Sequence, residues 1–220
     1  MKRTREGLAA GLVMLIAALV AGCSTIIGDG SDNGPVKTEQ RDVSGFTQVS
    51  VGGGAELTIA IGSGYHVEIT AEEQVLAKLR STVRNGRLTI DSTEGYTTHH
   101  GVQVRITMPA LDDLELSGGA TGKVSTVTGS NLVVTLSGGA EATISGSVDR
   151  LTVDASGGSQ AHLRDLSVAG AEVSASGGAQ LELTTSGRVS GSASGGSTVD
   201  AWGGGSLSVR TSGGSEARSH

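Results

Sequence analysis

The chain has 220 residues, a formal net charge of −6 and 36 glycines, set against one Trp, two Tyr and one Phe. That length supports one well-buried domain, and the glycine-rich, aromatic-poor composition suits narrow strands joined by tight turns rather than a helical enzyme core. The basic residues are dispersed, which excludes a phosphate-tracking surface and hence nucleic acid as a partner; Cys23 is the only cysteine, which excludes an intrachain disulfide or a cysteine-based metal cluster.

Lys2, Arg3 and Arg5 precede an apolar run from Leu8 to Ala21 that ends in Val20-Ala21-Gly22-Cys23-Ser24, the layout of an export signal. The ending resembles the bacterial lipobox, with Val20 where Leu is usual. The resemblance implies a lipoprotein signal peptide over 1–22 and a lipidated Cys23, with palmitate among the acyl chains. An uncleaved membrane anchor from Gly7 to Gly28 is the alternative, and either reading exports everything after residue 28. From 23 to 41 the chain is rich in Gly, Ser, Asp and Asn, contains Gly34-Pro35 and has no apolar period, so a flexible tether is expected before a folded domain over 42–220. The expected location is the bacterial membrane: outer membrane and periplasm in a host with two membranes, the outer face of the cell membrane in a host with one.

Segments starting at Phe46, Leu57, His66, Arg87 and Val102 alternate apolar and polar residues and are expected as strands. Glu72 to Leu79 is the one stretch with helical character, expected to cap or decorate the domain, and Asn85-Gly86 signals a tight turn into the Arg87 strand.

In the second half, Ser-Gly-Gly recurs at residues 117, 137, 156, 176, 194 and 212, with period-two alternation on both sides, which means two short strands per repeat. A repeat of this size cannot close a core alone, so equivalent strands must stack in parallel at about 4.8 Å. The expected fold is therefore all-β: a parallel β-helix, or solenoid, of coils of about 18–20 residues with a less regular N-terminal part. Two interior columns follow: Leu116, Leu136, Ala155, Ala175, Ala193 and Thr211 before the turn, and Val124, Ile144, Leu163, Leu183, Ala201 and Ser219 after it. Both shrink toward the C-terminus, so the last coils are expected to fray first.

The residues Phe46-x-x-Val49-x-Val51-Gly-Gly-Gly-Ala-Glu-Leu-Thr-Ile, Asn85-Gly86-Arg-Leu-Thr-Ile90, Met108-Pro109-x-Leu111-x-x-Leu114-x-x-Ser117-Gly118 and the later Ser-Gly-Gly turns resemble the bacterial auto-transporter adhesin head GIN domain. The resemblance spans about residues 42 to 218. It implies an exported β-helical protein, often a lipoprotein, and brings no catalytic or ligand residues with it.

Candidate chemistry is sparse. His99-His100 lacks the helical spacing or nearby acid of a metal site and reads as a surface loop. Glu72-Glu73 and Asp112-Asp113 look like paired carboxylates, but adjacent strand residues face opposite ways, so the aspartates do not suit a shared glycosidic bond. The outward column Lys123, Thr143, His162, Glu182, Asp200, Arg218 is the best candidate for weak binding, with Glu182 and Asp200 close enough to share a cation and His162 beside them; a solvated face is the plainer reading, and no metal or cofactor is expected. A neighbouring column, Thr121, Glu141, Gln160, Gln180, Thr198 and Glu216, presents a flat row of hydrogen-bonding groups suited to a polymer or protein.

These features point to a membrane-anchored, non-catalytic binding or adhesion domain with an envelope protein or glycan as partner. Alternatives are a structural or sensory envelope component and, less favoured, a polysaccharide-acting enzyme on the same fold. The uncovered edge of the last coil is expected either to self-associate or to be protected by Arg210, Glu216 and Arg218 as a charged cap.

Overall fold

Between its glycines the chain alternates apolar and polar residues, and each such segment forms a strand with its apolar side buried. The computed structural model describes residues 33–220. The first half contains β1 (Val36–Gln40), β2 (Gln48–Val51), β3 (Glu56–Ile61), β4 (His66–Glu72), the one-turn helix α1 (Glu73–Leu76), β5 (Leu79–Arg84), β6 (Arg87–Ser92), β7 (Gln103–Met108) and β8 (Asp113–Leu116). The repeat region contains β9 (Thr121–Leu136), β10 (Glu141–Ala155), β11 (Gln160–Ala175), β12 (Gln180–Thr185), β13 (Val189–Ala193), β14 (Thr198–Trp202), β15 (Leu207–Thr211) and β16 (Glu216–Ser219).

All the strands join one 16-stranded hydrogen-bonded system wound as a β-solenoid. One face runs β1-β4-β7-β3-β9-β10-β11-β12-β14-β16. The other runs from β5 through β6, β2 and β8 to the second halves of β9, β10 and β11, then β13 and β15. Every pairing from β3 onward along the first face is parallel. The N-terminal part is mixed, since β1 pairs β4, β4 pairs β7 and β5 pairs β6 antiparallel. The β5–β6 hairpin turns at Asn85-Gly86, whose positive φ values of 50° and 76° supply the twist a two-residue turn needs.

The interior columns stack as the periodicity requires. Leu116 pairs Leu136, which pairs Ala155, then Ala175, Ala193 and Thr211. Every member is buried except Thr211, and in the second column every member except Ser219. Coils are joined at the Ser-Gly-Gly turns by their backbones: Gly158 N–H donates to Gly138 C=O at 2.7 Å, and Gly178 N–H to Gly157 C=O at 2.7 Å. Gly157 has φ of 72°, and a Cβ there would lie 2.6 Å from the Gly138 oxygen, so only glycine fits.

Two expectations are corrected. The tether does not extend to residue 41, because Val36–Gln40 forms β1 and pairs with β4 from Val36↔Glu72 to Gln40↔Glu68. Its side chains are all exposed, so it contributes no apolar period by which a sequence reading would detect it. Nor does every repeat consist of two short strands: the later coils do, as β12 with β13 and β14 with β15, but β9, β10 and β11 each round a further corner without leaving the ladder, with Val127, Val148 and Leu166 buried there.

The ends of the solenoid differ. At the N-terminal end α1 lies against β1 and β4 with Val75 and Leu76 buried, which bears out the capping role expected for Glu72 to Leu79. Among the described residues no helix is long and apolar enough to cross a membrane.

Candidate binding face

The first face carries two outward columns in unbroken register. One reads Thr38, Thr70, Gln103, Glu56, Thr121, Glu141, Gln160, Gln180, Thr198, Glu216. The other reads Gln40, Glu68, Arg105, Thr58, Lys123, Thr143, His162, Glu182, Asp200, Arg218. Both sequence-derived columns therefore assemble, and both continue onto the N-terminal strands. Ten strands at about 4.8 Å give a polar strip of roughly 43 Å. The strip exists because every rung keeps the same parity, apolar side in and polar side out.

Charges on the strip are matched locally. His162 lies between two carboxylates, with Nδ1 3.5 Å from Glu182 Oε2 and Nε2 3.6 Å from Glu141 Oε1. Asp200 Oδ1 receives His220 Nε2 at 3.0 Å, with Arg218 Nη1 4.0 Å away, and Arg218 also pairs with Glu216. Glu182 and Asp200 are register neighbours, yet among the described residues no three His, Cys, Asp or Glu side chains gather as a metal site.

Beside these columns lies a feature the sequence reading missed. Trp202, outward and half-buried, stacks on His220 with ring centroids 4.5 Å apart and 12° between planes. The Arg164 guanidinium carbon sits 4.2 Å from the Trp202 ring centroid. The arrangement joins a cation–π contact and a ring stack along the solenoid, from β11 past β12 to Trp202 in β14 and on to His220 after β16. Its sequence signal was the position of Trp202 two residues after Asp200, which gives it the same outward parity.

His99 and His100 correct another expectation, since an acid does lie beside them. Glu72 is fully buried and accepts from Thr98 Oγ1 and from the His99 backbone N–H at 2.9 Å, with His100 Nδ1 3.2 Å away. Burial alone would raise the Glu72 pKa, but these hydrogen bonds outweigh it and hold the carboxyl down at about 2. Glu73, the first residue of α1, pairs instead with Lys37. Asp113 receives Arg87 Nη2 at 2.8 Å, while Arg87 Nη1 reaches Glu115 at 2.7 Å. Burial pushes the Asp113 carboxyl up against the opposing pull of Arg87. The lipidation candidate Cys23 lies outside the described residues.

Residues 45–205 match the family described as "Putative auto-transporter adhesin, head GIN domain". Among solved structures, a "putative adhesin" from Bacteroides fragilis NCTC 9343 superposes with TM-score 0.61 at 12% identity, covering 84% of this chain and 97% of that one. A "putative lipid binding protein" from Parabacteroides distasonis ATCC 8503 gives 0.55 at 14% identity, with 86% and 98% covered. A "putative adhesin" from Parabacteroides merdae ATCC 43184 gives 0.52 at 15% identity, with 86% and 97% covered. No curated protein matches the chain.

Proposed function

This chain belongs to the auto-transporter adhesin head GIN domain family, and we propose that it is an exported, lipid-anchored binding module that holds an extended partner on its ten-strand face without chemical turnover. The observation that carries the reading is the register of that face: two polar columns continue over ten strands, offering amide, hydroxyl and carboxylate groups at one repeat spacing. A partner that repeats along its own length, such as a glycan chain or an extended segment of an envelope protein, meets equivalent groups at successive rungs. Individually weak contacts then add along the strip. The family's adhesin description supports export and adhesion, and Cys23 supplies the membrane attachment.

The test is a glycan and envelope-protein binding screen with the full chain in detergent, alongside a Gln160→Lys/Gln180→Lys variant that alters the centre of the strip. Saturable binding lost in the variant is the expected result. Silence of the wild type returns the structural or sensory reading, and conversion of a glycan would make the domain an enzyme.

A further inference from the structure

We infer that the partner of the ten-strand face is a glycan carrying a single acidic sugar, whose carboxylate is held between Arg105 and Lys123 across Thr58. The inference rests on the binding reading of that face. Arg105, Thr58 and Lys123 are exposed and stand on successive strands of one outward column, on β7, β3 and β9. The two cations are therefore two rungs, or about 10 Å, apart at the backbone. Side chains of their length can converge over the hydroxyl between them, where one carboxylate accepts from a guanidinium, an ammonium and a hydroxyl together.

Both cations lack the local match found elsewhere on the strip. Glu68 stands directly across the ladder from Arg105, yet its Oε1 lies 3.1 Å from His66 Nε2 on its own strand. Neither Arg105 nor Lys123 forms an ion pair among the described residues. Glu56, beside Thr58 on β3, is unpaired as well, so the three leave a net positive charge. Glu56, Thr58, Thr121, Lys123, Glu141 and Thr143 border an open depression of about 230 Å³, where their oxygens can bond the hydroxyls of a sugar ring. Strands inside the face are paired on both edges, and neither column holds an apolar side chain. A peptide finds no free ladder and no side-chain pocket there, whereas a glycan needs neither. Past Lys123 the columns turn acidic, with Glu141, Glu182, Asp200 and Glu216. A glycan charged at every sugar is repelled along that stretch, and one charged at a single sugar is not.

Calorimetric titration of the full chain in detergent tests it with xylotetraose, xylotriose bearing one glucuronic acid, and tetragalacturonate. The singly acidic probe is expected to bind at least about tenfold more tightly than either of the others, with its advantage over xylotetraose shrinking in high salt. Arg105→Gln and Lys123→Gln are each expected to remove most of that advantage with the circular dichroism unchanged, and Lys123→Arg to retain it. Equal affinity for xylotetraose and the singly acidic probe, with both lost in Gln160→Lys/Gln180→Lys, overturns the inference and leaves the binding reading standing. An acidic preference that survives Arg105→Gln and Lys123→Gln, or tightest binding of tetragalacturonate, overturns it in the same way. Absence of binding by all the probes also overturns it, and the wider glycan and envelope-protein screen then decides the binding reading separately.

Discussion

The His99 backbone N–H points at Glu72 Oε1 from 2.9 Å, so the loop between β6 and β7 is fastened to a carboxylate at the end of β4 that has no exposed surface. Thr98 and His100 complete the grip, and Tyr96 adds a hydrogen bond to Gly53 C=O at 3.3 Å. Replacing Glu72 with Ala removes the acceptor from at least two donors and is expected to cost about 1–3 kcal/mol, read by chemical denaturation.

The same group sets an acid limit. Glu72 is held at about 2 against an ordinary 4.5, so its contribution to stability is complete above the ordinary value and is lost as pH falls from there through about 2. A pH titration of melting temperature should show a loss in that window that is absent from Glu72→Gln. Equal acid sensitivity in both proteins would assign the loss to other carboxylates.

Gly191 lies in β13 with φ of 143°, and a Cβ there would be 1.8 Å from the Val173 oxygen. Gly129, in β9, has nothing within 4 Å of its Cβ position and an ordinary φ. Gly191→Ala is expected to destabilise by at least about 1–3 kcal/mol, with Gly129→Ala near neutral; indistinguishable thermal melts would sink the close-stacking argument.

Leu136 is fully buried, and its truncation to Ala is expected to cost about 2–5 kcal/mol. Thr211, in the same column, is exposed and should tolerate Ala at little cost. Hydrogen exchange should follow the same gradient, with β15 and β16 exchanging before β9 and β10. Uniform protection along the solenoid would contradict the thinning core.

Cys23→Ser is expected to abolish metabolic acyl labelling, because Cys23 is the only cysteine available for the thioether. Continued labelling of the variant would rule out Cys23 as the lipid site.

The repeat half was legible because Ser-Gly-Gly marks one corner of each coil and the strands on either side of it keep strict parity; Leu163 opposite Leu183 and Glu182 opposite Asp200 follow from counting alone. The N-terminal half was legible as strands but not as pairings. Nothing local in His66–Glu72 shows that β4 runs antiparallel to both β1 and β7, since register across long separations depends on the partner strands. The acid beside His99-His100 was missed for a related reason: Glu72 gains its donors from a loop that returns from more than twenty residues away. The outward columns were found and Trp202 was overlooked, because its neighbours Arg164 and His220 come from different coils.

The taper of the interior columns has a consequence for how the molecule is made. The largest fully buried side chains, among them Phe46, Leu57, Ile59, Leu76, Leu88 and Met108, lie mostly in the first half, which is the half synthesised first. That half can therefore condense on local and medium-range contacts and present a finished edge at β3 and β8 before the repeats arrive. Each later coil needs only to copy the register of its predecessor, so modest Ala and Val columns suffice where a free-standing sheet would need larger ones. Assembly becomes a templated addition that follows the direction of synthesis, and the sequence spends its bulky residues where no template yet exists.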